Sequence, residues 1–169
     1  MSTLNSASNY CVYYVMMEYW KTILANHPSI GFVSQGDIFS TDIKEFPAYP
    51  LANIQVDSTD VNTNTMQYNF VLTLLDKPKL VIPDSINNRN KEIIPYEGID
   101  DLNDIYANLM GIINDVMAFT NNFAQFELGN IRAVPFLDRL DNVLAGWTVA
   151  FDLTVPNNCF NYCTINLNP

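Results

Sequence analysis

The sequence predicts an α+β fold, an antiparallel β-sheet of about four strands with two helices packed on one face. Two segments repeat apolar residues at steps of three and four, which is typical of helices with one apolar stripe. Several shorter segments alternate apolar and polar residues, as half-buried strands do. The elements follow in the order helix, strand, strand, loop, long helix, strand, strand. Helices and strands of this kind bury their apolar surface when both helices lie on the same face of the sheet.

The first helix is predicted over residues 9–26. One face carries its apolar residues at steps of i, i+3, i+4, i+7 and i+11, namely Tyr13, Met16, Met17, Trp20 and Leu24. Ser8 or Asn9 is a suitable N-cap. Pro28 ends the helix, because the residue before a proline is disfavoured in the helical conformation.

A hairpin is predicted next. Residues 52–57 and 66–75 both alternate, and the polar segment 58–64 between them predicts a long loop. Four residues share one face of the second strand, namely Tyr68, Phe70, Leu72 and Leu74. Before this hairpin, residues 30–35 are interpreted as a short extended piece within a segment rich in glycine and proline.

The long helix is predicted over residues 100–126, with Gly129 as its stop. Its apolar stripe is Leu102, Ile105, Leu109, Ile112, Val116, Phe119 and Phe123, widened by Tyr106, Ile113 and Met117. Asp100, Asp101 and Asp104 lie near its start, where the helix dipole favours negative charge. The flanks of the stripe lack the charges of a coiled coil, which favours a helix lying on a sheet.

Two further strands complete the predicted sheet. Residues 131–136 suit only an edge or a strand end, because Pro135 cannot donate a ladder hydrogen bond. Residues 146–155 alternate clearly, and one face carries Trp147, Val149, Phe151, Leu153 and Val155. The predicted organisation is a single domain over residues 1–157 with an extended loop at 77–98, followed by a C-terminal arm at 158–169. That loop is either an interface element or a flexible surface loop.

Charge is scarce and mostly negative. Only 15% of the residues are charged, and 18 acidic residues against 8 basic ones give a net charge of −10. The low charge indicates either a surface hidden against partners or simply a neutral polar surface. Direct wrapping of nucleic acid is disfavoured, because phosphate contacts require lysine and arginine. No basic run or apolar stretch of about 20 residues indicates a membrane, and no signal peptide is recognised, so synthesis in the cytoplasm is expected.

No residue is predicted to be catalytic, to bind a cofactor or to ligate a metal, and an enzyme is not expected. His27, the single histidine, lies at a helix end, where a capping role is favoured over catalysis. Glycine-rich phosphate-binding loops are absent from the sequence. The acidic pairs Asp100–Asp101 and Asp138/Asp141 are explained by a helix start and a loop.

Three cysteines give no metal site within one chain. Zinc requires about four ligands of the Cys/His type. Cys11 falls on the first helix, whereas Cys159 and Cys163 lie in the C-terminal arm. We interpret them as one buried thiol and two reduced thiols, and their role in the arm is left open.

Four phrases of the sequence resemble a known protein family. They occupy residues 26–37 (NHPSIGFVSQGD), 46–56 (FPAYPLANIQV), 135–138 (PFLD) and 146–157 (GWTVAFDLTVPN). With the helices and the strand at 68–76, they resemble the tail-terminator and tail-completion proteins of tailed bacteriophages. The last phrase is also similar to versions from crAss-like phages of Bacteroidales. The resemblance covers about residues 9–157.

The resemblance implies a structural role in the virion. It implies a homo-oligomeric ring, six-fold or twelve-fold, in the phage neck or tail, assembled in the cytoplasm of the host bacterium. Such a ring joins head-proximal and tail components, contacts neighbouring neck and tail proteins, and lets DNA pass through its lumen without specific binding. The long 77–98 loop leaves its position in the stack open. The alternative is a soluble adaptor or binding module that docks a partner through that loop.

Overall fold

Five strands and two helices make up the described part of this computed structural model, which comprises residues 12–38, 48–78, 97–122, 127–138 and 144–156. The helices are α1 (Val12–Asn26) and α2 (Glu97–Asn121). The strands are β1 (Phe32–Gln35), β2 (Leu51–Val61), β3 (Thr65–Asp76), β4 (Glu127–Asp138) and β5 (Leu144–Pro156). The predicted α+β class is confirmed.

The five strands form one sheet in the order β1-β2-β3-β5-β4. Four of them are antiparallel neighbours, as the sequence predicts. The short extended piece before the hairpin is the fifth strand, and it pairs parallel to β2, with Phe32 opposite Leu51. The sheet is therefore mixed, with an antiparallel body and one short parallel edge strand.

The centre of the sheet is the pairing of β3 with β5. It runs without a register shift from Thr65 opposite Pro156 to Asp76 opposite Ala145. Strand β4 lies at the edge beside β5, which agrees with the expectation from Pro135. A proline is tolerated there because its nitrogen can face away from the neighbouring strand.

The main core lies between both helices and one face of the sheet. It contains an aromatic cluster: the indole of Trp20 packs 4.8 Å from the ring of Phe151 and 5.9 Å from that of Phe70, and these two rings stack at 5.5 Å. The predicted inward faces of β3 and β5 are buried here, including Tyr68, Leu72, Leu74, Val149, Leu153 and Val155. Burying each such side chain contributes roughly 1.5–3 kcal/mol relative to exposure.

A smaller cluster lies on the opposite face of the sheet. Leu51 pairs with Leu75, and both point away from the helices because Ala52 and Leu74 point toward them. Ile38 and Leu144 complete the buried set, with Phe32, Tyr49 and Phe136 packed against it. This cluster covers only one end of the second face.

The predicted long hairpin loop is wrong. Strand β2 continues to Val61, and only residues 62–64 connect it to β3, where the Asn62 N–H donates to the Thr65 carbonyl at 2.9 Å. The alternation breaks because a β-bulge lies between Val56 and Ser58. Beyond the bulge the side chains are exposed, and all but Val61 are polar. The backbone ladder and hydrogen bonds from Asn69 to Ser58 and Asp60 therefore keep this part in the sheet.

The predicted end of the long helix is also wrong. Helix α2 ends at Asn121, and the side chain of Asn122 donates to the Ala118 carbonyl at 2.9 Å. Gly129 lies inside β4, beside a bulge between Leu128 and Ile131, and stops no helix.

Phe119 does not belong to the buried stripe: it is 56% exposed, and Thr120 is buried instead. A seven-residue step rotates about 20° around a straight helix. The side of α2 that faces the core therefore shifts gradually around the helix, and near the C-terminal end of α2 it no longer coincides with the predicted stripe.

Several predictions fall outside the described residues. These are residues 9–11 of the first helix, 123–126 of the second, 79–96 of the extended loop and the arm at 158–169. Residues 97 and 98, assigned to that loop, belong to α2.

Candidate functional site

An open groove lies between the C-terminal parts of the two helices. Its volume is about 540 Å³. Helix α1 and the turn after it supply Tyr19, Thr22, Ile23, Asn26, His27, Pro28 and Ser29, and α2 supplies Asp115, Val116 and Phe119. The walls are mainly apolar, with polar groups gathered at the end of α1.

His27 orders the turn that ends α1. Its backbone N–H donates to the Leu24 carbonyl at 3.2 Å, and its own carbonyl accepts the Ile30 N–H at 3.1 Å. The ring nitrogen Nδ1 accepts the N–H of Ser29 at 3.2 Å. In the neutral ring the proton is therefore on Nε2. His27 thus lies directly after the end of α1, and its side chain bonds the turn that follows the helix.

The other ring nitrogen of His27 faces a carboxylate. Nε2 lies 3.5 Å from Oδ2 of Asp115 on α2, and the two side chains are 13% and 76% exposed, respectively. This is an ion pair only when the imidazole is protonated. Because the carboxylate is solvated, the contact contributes at most a small stabilisation. Both ring nitrogens thus face groups other than a hydroxyl, whereas a serine or threonine nucleophile needs its oxygen bonded to the base.

The inner wall of the groove is formed by Tyr19 and Val116. Burial raises the pKa of the Tyr19 phenol, and a hydrogen bond with Thr120 acts in the opposite direction. The Thr120 hydroxyl donates to the Val116 carbonyl at 2.9 Å, so this polar group is satisfied inside the helix pair. The wall is therefore mainly apolar, and it suits an apolar side chain.

A second, smaller pocket lies at the other end of α1. Its volume is about 340 Å³, and its lining is mainly polar: Tyr13, Met17, Gln35, Gly36, Asp37, Gln55, Val56 and Asp57. Gly36 has a φ of 96°, which favours glycine, and its N–H donates to the Ile54 carbonyl at 3.2 Å. Within the described ranges no three His, Cys, Asp or Glu side chains come close enough to hold a metal ion.

The sheet face opposite the helices is largely polar beyond its small apolar cluster. Asn69 on β3 donates to the Ser58 hydroxyl at 2.8 Å and to the Asp60 carboxylate at 3.4 Å. Asp152 on β5 pairs with Asn69 in the register, so it lies on the same face. This surface combines neutral amides and hydroxyls with scattered carboxylates, and Arg132 on β4, which pairs with Ala150, adds a positive charge to the same face.

The sequence predicts no catalytic, cofactor or metal residue, and it misses the groove. The groove exists only because two distant helix ends meet, and neither helix signals it alone. The one local sign is the aromatic Phe119 near the border of a stripe. Cys11, Cys159 and Cys163, like the side chains of Asp100, Asp101, Asp138 and Asp141, lie outside what the structure describes.

No protein-family model and no curated protein matches this chain. Among the described helices, none is both long and apolar enough to cross a membrane.

Proposed function

We propose that this chain is a structural virion protein that forms a ring in the phage neck or tail around the DNA channel, where it joins head-proximal and tail components. The observation that carries the proposal is the architecture, a sheet with both helices on one face, which is the arrangement that the family resemblance implies. The resemblance supplies the assignment to a virion, and the architecture is compatible with it.

The sequence segments that carry the family resemblance fall on elements that form the sheet and on the connection between α1 and β1. The segment at 26–37 spans the end of α1 and all of β1, and the segment at 146–157 covers most of β5, which pairs with β3 and β4. Gly146 in that segment is required by packing, because a Cβ there would overlap the carbonyl oxygen of Leu74. These segments thus contain residues that the fold requires, which supports a structural resemblance between this chain and the tail-terminator family.

Head-to-tail rings need two different patches on every copy. Exposed apolar residues lie on two sides of the molecule: Tyr13 and Tyr14 at the start of α1, and Ile131 and Val134 on β4. Tyr13 lies beside β1 and β2, whereas β4 is the opposite edge of the sheet. Each copy therefore exposes apolar side chains at two separate places, the start of α1 and the β4 edge, where Ile131 and Val134 lie on opposite faces of the strand.

Backbone pairing between copies is disfavoured at the β4 edge. Pro135 lacks an N–H, and the bulge between Leu128 and Ile131 interrupts the ladder. Both features protect edge strands from open-ended strand addition. Contacts between copies at this edge would therefore be made by side chains rather than by strand pairing. Such contacts are compatible with a closed ring.

The negative charge suits a channel past which DNA slides. Asp60 and Asp152 lie on the polar face of the sheet, and the whole chain carries a net charge of −10. Carboxylates repel phosphates and so reduce adhesion. We infer that part of this charge lines the lumen.

Solution mass tests the proposal. We expect light scattering to give a closed oligomer, with six or twelve copies, for the chain alone or after mixing with virion partners, and negative-stain images to show rings. Val134→Lys on β4 should lower the fraction of chains assembled into rings. Val61→Lys, at an exposed position beside the hairpin turn, is the matched control and should leave that fraction unchanged. A chain that stays monomeric and is absent from purified virions would overturn the proposal.

A soluble adaptor or binding module is the second candidate function. The groove between α1 and α2 favours it, because it is a preformed apolar site with polar groups at one end. Of the 77–98 loop, which the sequence suggests as the docking element, residues 79–96 lie outside the described structure. Stoichiometry separates the two functions: a ring protein occurs in fixed multiples in the virion, and an adaptor does not.

A further inference from the structure

The groove between α1 and α2 leaves apolar surface open to water. Ile23, Val116 and Phe119 line it, and Phe119 is 56% exposed although the two stripe residues that precede it, Ile112 and Val116, are buried. Covering such side chains stabilises a protein in proportion to the apolar area removed from water. The groove therefore has the exposed apolar lining that is typical of a binding surface.

The chain leaves the sheet at the end where α2 stops. Strand β5 reaches Pro156 beside Thr65, and Thr154 pairs with Glu127, the first residue of β4. Only residues 122–126 separate Glu127 from the end of α2 at Asn121, so that helix end lies within roughly 20 Å of Glu127. Phe119 is two residues before the helix end. The segment that follows Pro156 thus starts at the end of the sheet toward which α2 and Phe119 run.

Residues 157–169 are long enough to reach it. Thirteen extended residues span roughly 43 Å, whereas a folded unit of about 100 residues has a diameter of roughly 35 Å. Residues 157–169 can therefore reach every part of the groove.

The composition of this segment matches the groove. Residues 157–169 contain no charged side chain and carry four large apolar ones, Phe160, Tyr162, Ile165 and Leu167. The groove has no lysine or arginine in its lining, and its polar groups are mostly uncharged. Asparagine amides in the segment can donate to and accept from such groups.

The other undescribed segments fit less well. Residues 79–96 and 39–47 carry several charges each, and residues 123–126 are held at both ends by α2 and β4. Residues 1–11 precede α1 at the end far from the groove, and α1 is about 22 Å long.

We propose that the groove between α1 and α2 binds residues 157–169 of this chain, with an aromatic side chain of that segment placed against Ile23, Val116 and Phe119. The segment comes from the same copy or from a neighbouring one. This docking does not depend on the ring function, because it concerns one groove and one segment of the same sequence.

A spin label on the segment tests the docking in the full chain. With Cys11 and Cys159 replaced by serine, a nitroxide is attached to Cys163, and the methyl signals of Ile23 and Val116 are recorded by NMR. We expect these signals to be lost with the oxidised label and to recover on its reduction. The methyl signals of Val134, on the other face of the sheet, should persist throughout. Retention of the Ile23 and Val116 signals with the oxidised label would overturn the proposal.

Two matched variants make the test specific. Phe119→Ser removes an aromatic ring from the groove, and Tyr14→Ser removes one of similar exposure, 53%, that does not line it. Phe119→Ser should restore the methyl signals, and Tyr14→Ser should leave them lost. The opposite pattern would place the segment elsewhere. Unchanged chemical shifts for the core residues Leu72 and Val149 show that both variants are folded.

Mixing labelled and isotope-enriched copies identifies the source of the segment. Loss of signal in the mixture assigns the docking to a neighbouring copy, and loss only within one copy assigns it to the same chain. Both results support the proposal. Light scattering on the same samples reports the ring independently, so a failed docking and a failed ring are distinguishable.

Discussion

The indole of Trp147 on β5 donates a hydrogen bond to the backbone carbonyl of Tyr106 on α2 at 3.0 Å. The two rings also meet edge to face, with centroids 5.6 Å apart. In return, the Tyr106 hydroxyl donates to the carbonyl of Phe136 on β4 at 2.9 Å. Tyr106 and Trp147 thus connect α2 to β4 and β5 at one side of the sheet. The aromatic cluster around Trp20 packs α1 against β3 and β5.

Removing either hydrogen bond should weaken this attachment. Trp147→Phe and Tyr106→Phe should each lower the free energy of unfolding by about 1 kcal/mol, since each loses one bond but leaves a carbonyl able to find another partner. The two residues touch, so the double variant should deviate from additivity by at least about 0.5 kcal/mol. Urea denaturation of the four proteins checks this, and strict additivity would show that the residues act independently.

Glycine should be required at 146 and dispensable at 111. Gly146→Ala places a Cβ on the backbone of Leu74 and Leu75 and should cost roughly 3 kcal/mol or more, because the central strands must separate. Gly111 is exposed in α2 with open space around it, so Gly111→Ala should stabilise the protein by about 0.5–1 kcal/mol. Thermal unfolding of both variants measures the contrast, and equal effects would contradict it.

The aromatic core should be highly sensitive to truncation. Phe151 is buried against Trp20 and Phe70, and Phe151→Ala should cost about 3–5 kcal/mol through lost contacts and a cavity. Val134→Ala on exposed β4 should change stability by less than about 0.5 kcal/mol. Denaturant midpoints give both values, and a loss below 1–2 kcal/mol at Phe151, relative to the roughly 3–5 expected, would mean that this region repacks.

His27 should stabilise the end of α1 through its turn rather than through its ion pair. His27→Ala leaves the Ser29 N–H without its side-chain acceptor and should cost about 1 kcal/mol. Asp115→Ala removes an exposed carboxylate and should cost at most about 0.5 kcal/mol. Urea denaturation at neutral pH compares them, and an equal loss at Asp115 would assign the stabilisation to the ion pair instead.

Alkaline pH should destabilise the fold through two tyrosines. Burial raises the pKa of Tyr19 and of Tyr106 above the ordinary 10.0. The folded state therefore keeps these protons when the unfolded chain has lost them. Their contribution to stability is complete below pH 10 and is lost as pH rises through the folded pKa values. Unfolding titrations from pH 8 upward should show a shallower decline for Tyr19→Phe and Tyr106→Phe than for the parent chain, and identical declines would contradict this.

The sequence predicts elements well where local pattern and burial agree. Alternation in β3 and β5 correctly identifies the inward residues, because these strands carry one face against the helices along their whole length. Pro135 correctly marks β4 as an edge strand. The class α+β follows from the order of these elements.

Prediction fails where tertiary contacts override the local pattern. A bulge after Val56 and exposed polar side chains hide the second half of β2, which only pairing with β3 reveals. Parallel pairing of β1 cannot be read from four residues, since it depends on a partner 19 positions away in Leu51. The groove, likewise, depends on α1 meeting α2, which neither helical pattern encodes.

The pairing of β3 with β5 also governs when the sheet can close during synthesis. Leu144 follows Asp76 by 68 positions, which a ribosome translating about 5–20 residues per second covers in roughly 3–14 s. Throughout that interval one side of β3, the strand at the middle of the finished sheet, lacks its backbone partner. The nascent hairpin of β2 and β3 must therefore stay free of wrong strand pairing for seconds. In a cell that makes many copies at once, that delay is the stage at which crowding or a shortage of chaperones would reduce the yield of folded protein.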